Sequence, residues 1–555
     1  MPQMTGSDII VRLLEKRGID IAAGIPGGAN LPLYHALSKS KIRHILARHE
    51  QGAGFIAQGM ARSTGKAAVC FGTSGPGATN LITAIADAKL DSVPVVAITG
   101  QVPTGMIGTD AFQEVDTYGM TLPITKHNFL VRKAEELLVV IPEAFRIAES
   151  GRPGPVVIDV PKDVQKESVQ VEALPDMQAP VRASAVLDEA DISRFHAMLR
   201  DAQKPVLLVG GGVIVSDAAA QVIALARKNS IPVASTLMGL GCFPPDDPLF
   251  IGMVGMHGAR FTNMIMEETD LVIALGMRFD DRATGRVDAF CPNASIIHVD
   301  VDRSEIDKIK TASLSVIADL SDTLDQIVPG IEENPRREWN THVQSLKQTY
   351  ALQAPEPDDP YHPVHLVRTI SRIADANTIY TTDVGQHQMW AAQWIQVSRP
   401  RTFLTSGGLG TMGFGVPAAI GAALANPDKP VICISGDGSF LMNMQELATI
   451  RDHNLNVKIL ILNNGYLGLV RQQQEYFYEK VYHGSQFECQ PDFAAIASGF
   501  GIHAQRLDDA TDPADALTKA LNQDGPVLLD IPIHHGKNVT PMVPPGSANI
   551  VMIGE

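Results

Sequence analysis

The turn Gly436-Asp437-Gly438-Ser439, answered downstream by Asn463-Asn464, constrains this chain more than any other feature. Each half follows an apolar, strand-like run, Val431-Ile432-Cys433-Ile434 for the first and residues 457–462 for the second. Between them, residues 440–453 carry Leu441, Met444, Leu447 and Ile450 at the spacing of a helix. Strand, turn, helix, strand, turn is the order of a parallel βαβ unit. It puts Asp437 and the asparagines at the carboxyl ends of two strands, where open α/β sheets bind ligands. A carboxylate and an amide oxygen at such a place suit Mg²⁺, a hard ion that takes oxygen ligands and bridges to phosphate. The glycines let backbone N–H groups and a helix start approach phosphate oxygens. Asp-Gly alone reads as a tight turn; the paired asparagines favour the phosphate-and-metal reading.

With 555 residues the chain is too long for one core, and three domains are expected. Two Pro-containing, weakly patterned stretches, residues 172–184 and 351–363, act as predicted linkers. They leave domains at 1–170, 185–345 and 364–555. Each alternates β-branched runs with Ala/Leu-rich helical runs, so the predicted fold class is α/β, with three doubly wound parallel-sheet domains. Predicted strands are 67–71, 95–98 and 156–158 in the first domain, and 206–209, 271–274 and 296–299 in the second. A faint echo links Thr73-Ser74-Gly75-Pro76-Gly77 with Thr405-Ser406-Gly407-Gly408-Leu409-Gly410, each ahead of an Ala-rich helix. The formal charge of −16, without any Lys/Arg run, argues against nucleic acid or an anionic membrane as partner. Five scattered cysteines without a C-x-x-C pair predict a reduced protein with no zinc site. Residues 1–12 lack the apolar core of a signal peptide, and no uncharged apolar run reaches 18 residues, so a cytoplasmic protein is expected.

The Asp437/Asn464 turn resembles the diphosphate anchor of thiamine-diphosphate enzymes. Nearly the whole chain is similar to the catalytic large subunit of the acetohydroxyacid (acetolactate) synthase family. The likeness is carried by Gly24-Ile25-Pro26-Gly27-Gly28, Arg48-His49-Glu50-Gln51-Gly52-Ala53 and Gly108-Thr109-Asp110-Ala111-Phe112-Gln113-Glu114. It continues in Gly385-Gln386-His387-Gln388-Met389-Trp390 and Thr411-Met412-Gly413. The resemblance implies a pyruvate oxidase-like architecture: a pyrimidine-binding domain, a central FAD-binding domain and a diphosphate/Mg²⁺-binding domain. It makes Glu50 the carboxylate beside the aminopyrimidine, where an acid can hold or release a proton. Gly27 and Gly28 would line that side. Gly385, Gln386, His387, Gly410, Gly436, Gly438 and Ser439 would contact the cofactor, with Met412 propping it into a bent shape. Asp437, Asn464 and the backbone oxygen of Tyr466 would hold Mg²⁺.

For a second 2-oxoacid the resemblance assigns Arg282 to the carboxylate, a role suited to a planar guanidinium. Taken alone, Arg282 reads as the partner of Asp281. Gly28, Phe112, Gln113, Lys126 and Met256 match positions lining the substrate channel. Gln473 is a departure, because most of the family carries Trp there to favour 2-oxobutyrate over pyruvate. The substitution is reminiscent of the first of the enterobacterial isozymes, and weak acceptor preference is expected. In the central domain Gly210-Gly211-Gly212 lacks G-x-G-x-x-G spacing and is weak by itself. The resemblance adds Arg152, Thr236, Leu237, Met238, Met256, His257, Gly276, Arg278, Asp300 and Asp319 as FAD contacts. It implies acetolactate formation from pyruvate, a homodimer or tetramer, and a small regulatory subunit. The alternative within enzymes is an FAD-dependent pyruvate oxidase. A glyoxylate carboligase is disfavoured by the carboxylate at Glu50, and a non-catalytic scaffold by intact Glu50, Asp437 and Asn464.

Overall fold

The computed structural model describes residues 3–177, 179, 186–508 and 510–554. Of the predicted first linker, residues 178 and 180–184 lie outside the described residues, as does the predicted boundary at 185. Three six-stranded sheets, each wholly parallel, follow one another along the chain. In the first, the spatial order is Arg43–Leu46, Ile21–Gly24, Ala68–Gly72, Val95–Gln101, Val156–Pro161, His127–Leu130. In the third it is Phe403–Leu404, Ile379–Thr382, Val431–Gly436, Val457–Asn463, Val527–Pro532, His503–Arg506. Numbered by appearance, both run 2-1-3-4-6-5, although the two echoing Gly-rich turns are not equivalent, since 73–77 follows the third strand of its sheet and 405–410 the second. The middle sheet runs 3-2-1-4-5-6, the order of dinucleotide-binding folds.

The strands form where β-branched runs were expected, because residues buried on both faces of a parallel sheet read as continuous apolar stretches. Val206, Leu207, Leu208 and Val209 are all fully buried, as are Val457, Ile459, Leu460 and Ile461. The first and third domains share one core, in which Ile45, Ile56 and Leu81 join Ile420, Val431 and Ile459. At its centre, helix Glu50–Thr64 crosses helix Gly415–Ala425 through glycine. A Cβ on Gly59 would lie 2.1 Å from the Ala418 carbonyl oxygen, and one on Gly421 would lie 2.0 Å from that of Ile56.

Two expectations change. The helix expected over 440–453 is broken into Asp437–Phe440, the 3₁₀ turn Met444–Glu446 and Leu447–Asp452. Asn443 leaves the helical region (φ −140°, ψ 25°) and its amide donates to the Gly413 carbonyl at 2.7 Å, so tertiary bonding replaces helical bonding. The third domain also does not keep its own tail. From Val543 the chain returns to the middle domain: the Val543 N–H donates to the Met256 carbonyl at 2.8 Å, and Arg286 N–H to that of Ser547 at 2.9 Å. At the other boundary, helix Arg337–Thr349 carries the middle domain past residue 345. No helix among the described residues is long and apolar enough to cross a membrane.

Candidate active site

Each sheet has an inner switch point beside its first strand, where the chain turns from one side of the sheet to the other, and this opens a crevice at the carboxyl ends of two strands. In the third domain that crevice lies between Ile379–Thr382 and Val431–Gly436, so Gly385-Gln386-His387 faces Gly436-Asp437-Gly438-Ser439. Close approach there requires glycine. A Cβ on Gly436 would stand 2.8 Å from the His387 ring, and one on Gly438 2.9 Å from Leu467. Ser439 Oγ donates to the Val384 carbonyl at 2.8 Å and ties the two turns together. Asp437 is buried, and Oδ2 accepts from the Gly465 N–H at 2.9 Å and from Gln490 Nε2 at 3.3 Å. Burial pushes its carboxyl up to about 6. Burial holds His387 down at about 3, hence neutral, and its Nε2 is a buried polar atom without a protein partner.

The strand Val457–Asn463 sends the two asparagines apart. Asn463 is buried and donates to Asp530 at 2.9 Å. Asn464 donates to Gln386 Oε1 at 3.1 Å, while its Oδ1 accepts the Tyr466 N–H at 2.9 Å. Asn464 and Tyr466 therefore stand in the crevice with Asp437 and Gln386, and Asn463 does not.

In the first domain the crevice lies between Ile21–Gly24 and Ala68–Gly72. Gly27 touches Thr73 so closely that a Cβ would come within 2.5 Å, whereas Gly28 opens onto free space. Glu50 is the first residue of its helix and is 8% exposed. Its Oε2 accepts from Asn80 Nδ2 at 2.9 Å, and Gly77 lies beneath its other oxygen. Gln113 (φ 59°) packs on Gly75 of the same turn, and Phe112 beside it is 88% exposed. Glu114 fixes this loop by accepting the N–H groups of Gly108, Thr109 and Ala111. Lys126 is not brought to this group: its ammonium donates to the carbonyls of Ile147 and Ser150, and burial lowers it to about 8.

The middle crevice opens into a cavity of 1130 Å³, above the common size of small-molecule sites and roomy enough for a dinucleotide. Gly211, Gly212, Thr236, Leu237, Met238, Met256, His257, Gly276, Arg278, Asp300, Asp319 and Arg152 all line it. Gly210 lies against the Gly276 carbonyl, where a Cβ would come within 2.3 Å. Burial pushes Asp300 up to about 6, and His257 Nδ1 is buried without a partner. Arg152 bridges Asp302 at 3.0 Å and Glu305 at 2.6 Å, and Asp319 caps helix Leu320–Ile327.

Arg282, Gln473 and Gly410 line the same cavity, which links the middle domain to the third. Arg282 lies 3.7 Å from Asp281, but both side chains are mostly exposed, so the pair is weak. The tail organises this end. Gln472, next to Gln473, exchanges two hydrogen bonds with Val539 at 2.8 and 2.9 Å, and Asn549 donates to the Ala283 carbonyl at 2.8 Å.

Three positioning groups escape sequence reasoning. Asp87 accepts from Thr411 Oγ1 at 2.8 Å, Asp91 accepts the N–H groups of Gly407 and Gly408, and Arg62 lies between the two carboxylates. Buried Asp383 accepts the Gly413 N–H at 2.8 Å and that of Gly415 at 3.0 Å. Met412, half-buried, is thus pinned on both sides. Buried Glu446 accepts the N–H groups of Arg48 and His49, just ahead of Glu50. Each partner pair is remote in sequence, so no local pattern marks it.

Thiamine pyrophosphate enzyme domains match three stretches: the N-terminal TPP binding domain over residues 4–120, the central domain over 192–327, and the C-terminal TPP binding domain over 383–531. The chain is also 55% identical to the acetolactate synthase isozyme 1 large subunit of Escherichia coli (strain K12), over 100% of this chain and 98% of that one. The chain belongs to the acetolactate synthase family. It is 46% identical to the isozyme 2 large subunit of the same organism, over 99% of each. A probable acetolactate synthase large subunit of Methanocaldococcus jannaschii is 45% identical, over 99% of this chain and 95% of that one. The acetolactate synthase likeness therefore spans all three sheets and the tail.

Proposed function

We propose that the chain condenses two pyruvates to 2-acetolactate and CO₂, and pyruvate with 2-oxobutyrate to 2-aceto-2-hydroxybutyrate, the first common step of branched-chain amino-acid biosynthesis. Full-length likeness to acetolactate synthases carries the proposal. Bound thiamine diphosphate would supply a nucleophilic carbon toward the ketone and an electron sink for the loss of CO₂. Glu50, buried at a helix start, holds a proton at the aminopyrimidine nitrogen. Asp437, Asn464 and the Tyr466 carbonyl would hold Mg²⁺, an ion suited to oxygen ligands and to bridging to a diphosphate. The unpartnered His387 Nε2 and the close glycine turns fit a diphosphate, and Gln386 orients Asn464. Met412 would support the cofactor from below, and Asp87 and Asp383 hold Met412 in place through its neighbours. Arg282 takes the carboxylate of the second 2-oxoacid, while Met256 and Gln473 shape its alkyl pocket. Gly28, Phe112 and Gln113 belong to the partner-facing side of the channel.

The middle cavity fits FAD, with the Gly-rich turns at the diphosphate and Asp300 at a strand end. The condensation has no net redox step, so the flavin is structural. Within one chain Glu50 contacts Asn80 while Asp437 contacts Gly465 and Gln490. The two carboxylates meet one cofactor across a dimer, and light scattering should give at least twice the chain mass. A small regulatory subunit and a cytoplasmic location complete the proposal. With pyruvate, thiamine diphosphate and Mg²⁺, one acetolactate should form per CO₂. Oxygen consumed in step with pyruvate would instead favour the oxidase reading.

A further inference from the structure

Helix Glu50–Thr64 does not begin on its own residues alone. A helix start leaves N–H groups without intrahelical acceptors and carries positive partial charge. His49 Nδ1 caps one of them, the Gln51 N–H, at 3.1 Å. The N–H groups just upstream, of Arg48 at 2.9 Å and His49 at 3.1 Å, both donate to Oε1 of Glu446. Glu446 comes from the turn Met444–Glu446 of the third domain and is fully buried. Its Oε2 accepts from the Thr449 hydroxyl at 2.6 Å, which fixes the carboxylate plane.

A second observation, at Gly52, agrees. A Cβ there would come within 2.4 Å of Glu446 Oε1. Glycine inside a helix costs about 1 kcal/mol relative to alanine. At Gly52 the missing side chain leaves the space that the carboxylate fills. The same acid therefore explains both the paired N–H donors and the glycine.

We propose that Glu446 is a positioning residue for Glu50. The third domain, through one buried carboxylate, sets the height and direction of the helix start from which Glu50 reaches the aminopyrimidine. The inference rests on the role assigned to Glu50 above. Both carboxylate oxygens of Glu446 are taken by protein groups, so it reaches neither cofactor nor substrate. It acts through the backbone of residues 48 and 49, and a shift near 1 Å at a reacting group lowers rates by ~10²-fold.

Three substitutions test this, each read by two measurements. Amide hydrogen exchange over residues 46–53 is followed with and without cofactor, and hydrogen–deuterium exchange at C2 of bound thiamine diphosphate reports Glu50 directly. Glu446→Ala should speed the amide exchange in the cofactor-free protein and slow C2 exchange by ~10²-fold, with KM for pyruvate within about twofold. Glu446→Gln keeps an oxygen for the two N–H groups and should restore both readouts to near the parent. Gly52→Ala retains the acid but displaces it, and should shift both readouts in the same direction as Glu446→Ala. The double variant should be no worse than the worse single one, because both remove one contact. Should Glu446→Ala not fold, Gly52→Ala against Glu446→Gln makes the same comparison. Unchanged amide and C2 exchange in Gly52→Ala, or in a folded Glu446→Ala, overturns the proposal. Glu50→Gln is run beside them: C2 exchange surviving that substitution would overturn the Glu50 assignment instead.

Discussion

At position 50 a single carboxylate sits at a helix start with one polar side-chain partner, Asn80, and almost no access to water. An amide of the same shape cannot transfer a proton. Glu50→Gln should therefore lower kcat by ~10²- to 10⁴-fold while thiamine diphosphate still binds, measured by turnover and by cofactor titration. Position 473 is a matter of size. Gln473 lines the cavity shared with Arg282 and Met256, and Trp there would narrow it and add apolar surface for one more methyl. Gln473→Trp should raise selection of 2-oxobutyrate over pyruvate by ~10-fold or more in a product-competition assay; parent-like product ratios would refute the assignment.

Among elements, the crossing of helices Glu50–Thr64 and Gly415–Ala425 is set by backbone contact. Gly421→Ala improves helix propensity by about 1 kcal/mol, yet its methyl would meet the Ile56 carbonyl oxygen at 2.0 Å. Overpacking of this kind costs about 1–3 kcal/mol, so the thermal midpoint should fall rather than rise. The strand Val156–Pro161 carries buried Asp159, which accepts from Thr99 at 2.7 Å and Gln101 at 3.0 Å; Gln101 in turn holds the Val115 carbonyl. Burial pushes Asp159 up to about 7. Between the ordinary aspartate value and pH 7 the folded protein keeps this proton and the unfolded chain does not. This group therefore makes stability fall as pH rises through that window, and adds nothing further above it. The thermal midpoint of Asp159→Asn relative to the parent should climb from pH 4 to 7 and then level off.

Over the whole molecule, the chain's end returns to the middle domain and closes the cavity around Arg282. Asn549 donates to the Ala283 carbonyl, and its amide oxygen lies where a Cβ on Gly285 would come within 2.5 Å. Asn549→Ala should loosen the Arg282 turn and raise KM for the second 2-oxoacid more than it lowers kcat, as steady-state kinetics with each acceptor would measure. The first and third domains also hold each other reciprocally. Asp87 and Asp91 of the first fix the loop before Met412, and Glu446 of the third fixes the start of the Glu50 helix. Neither domain's site geometry is complete without the other.

Local chemistry made much of this legible from sequence. Buried parallel strands require continuous apolar runs, so 206–209, 271–274 and 457–462 announce themselves, and close backbone approach requires glycine at Gly27, Gly210 and Gly436. Strand order and three-dimensional pairing did not follow from it, because hydrogen bonds between residues hundreds of positions apart leave no periodic trace. Asn463 and Asn464 are chemically identical, and only the point at which the strand ends decides that one meets Asp530 and the other Gln386. The helical spacing of 440–453 was real, yet Asn443 found a partner at Gly413 in its own domain and Glu446 found partners in the first domain, and tertiary hydrogen bonds outweighed local propensity.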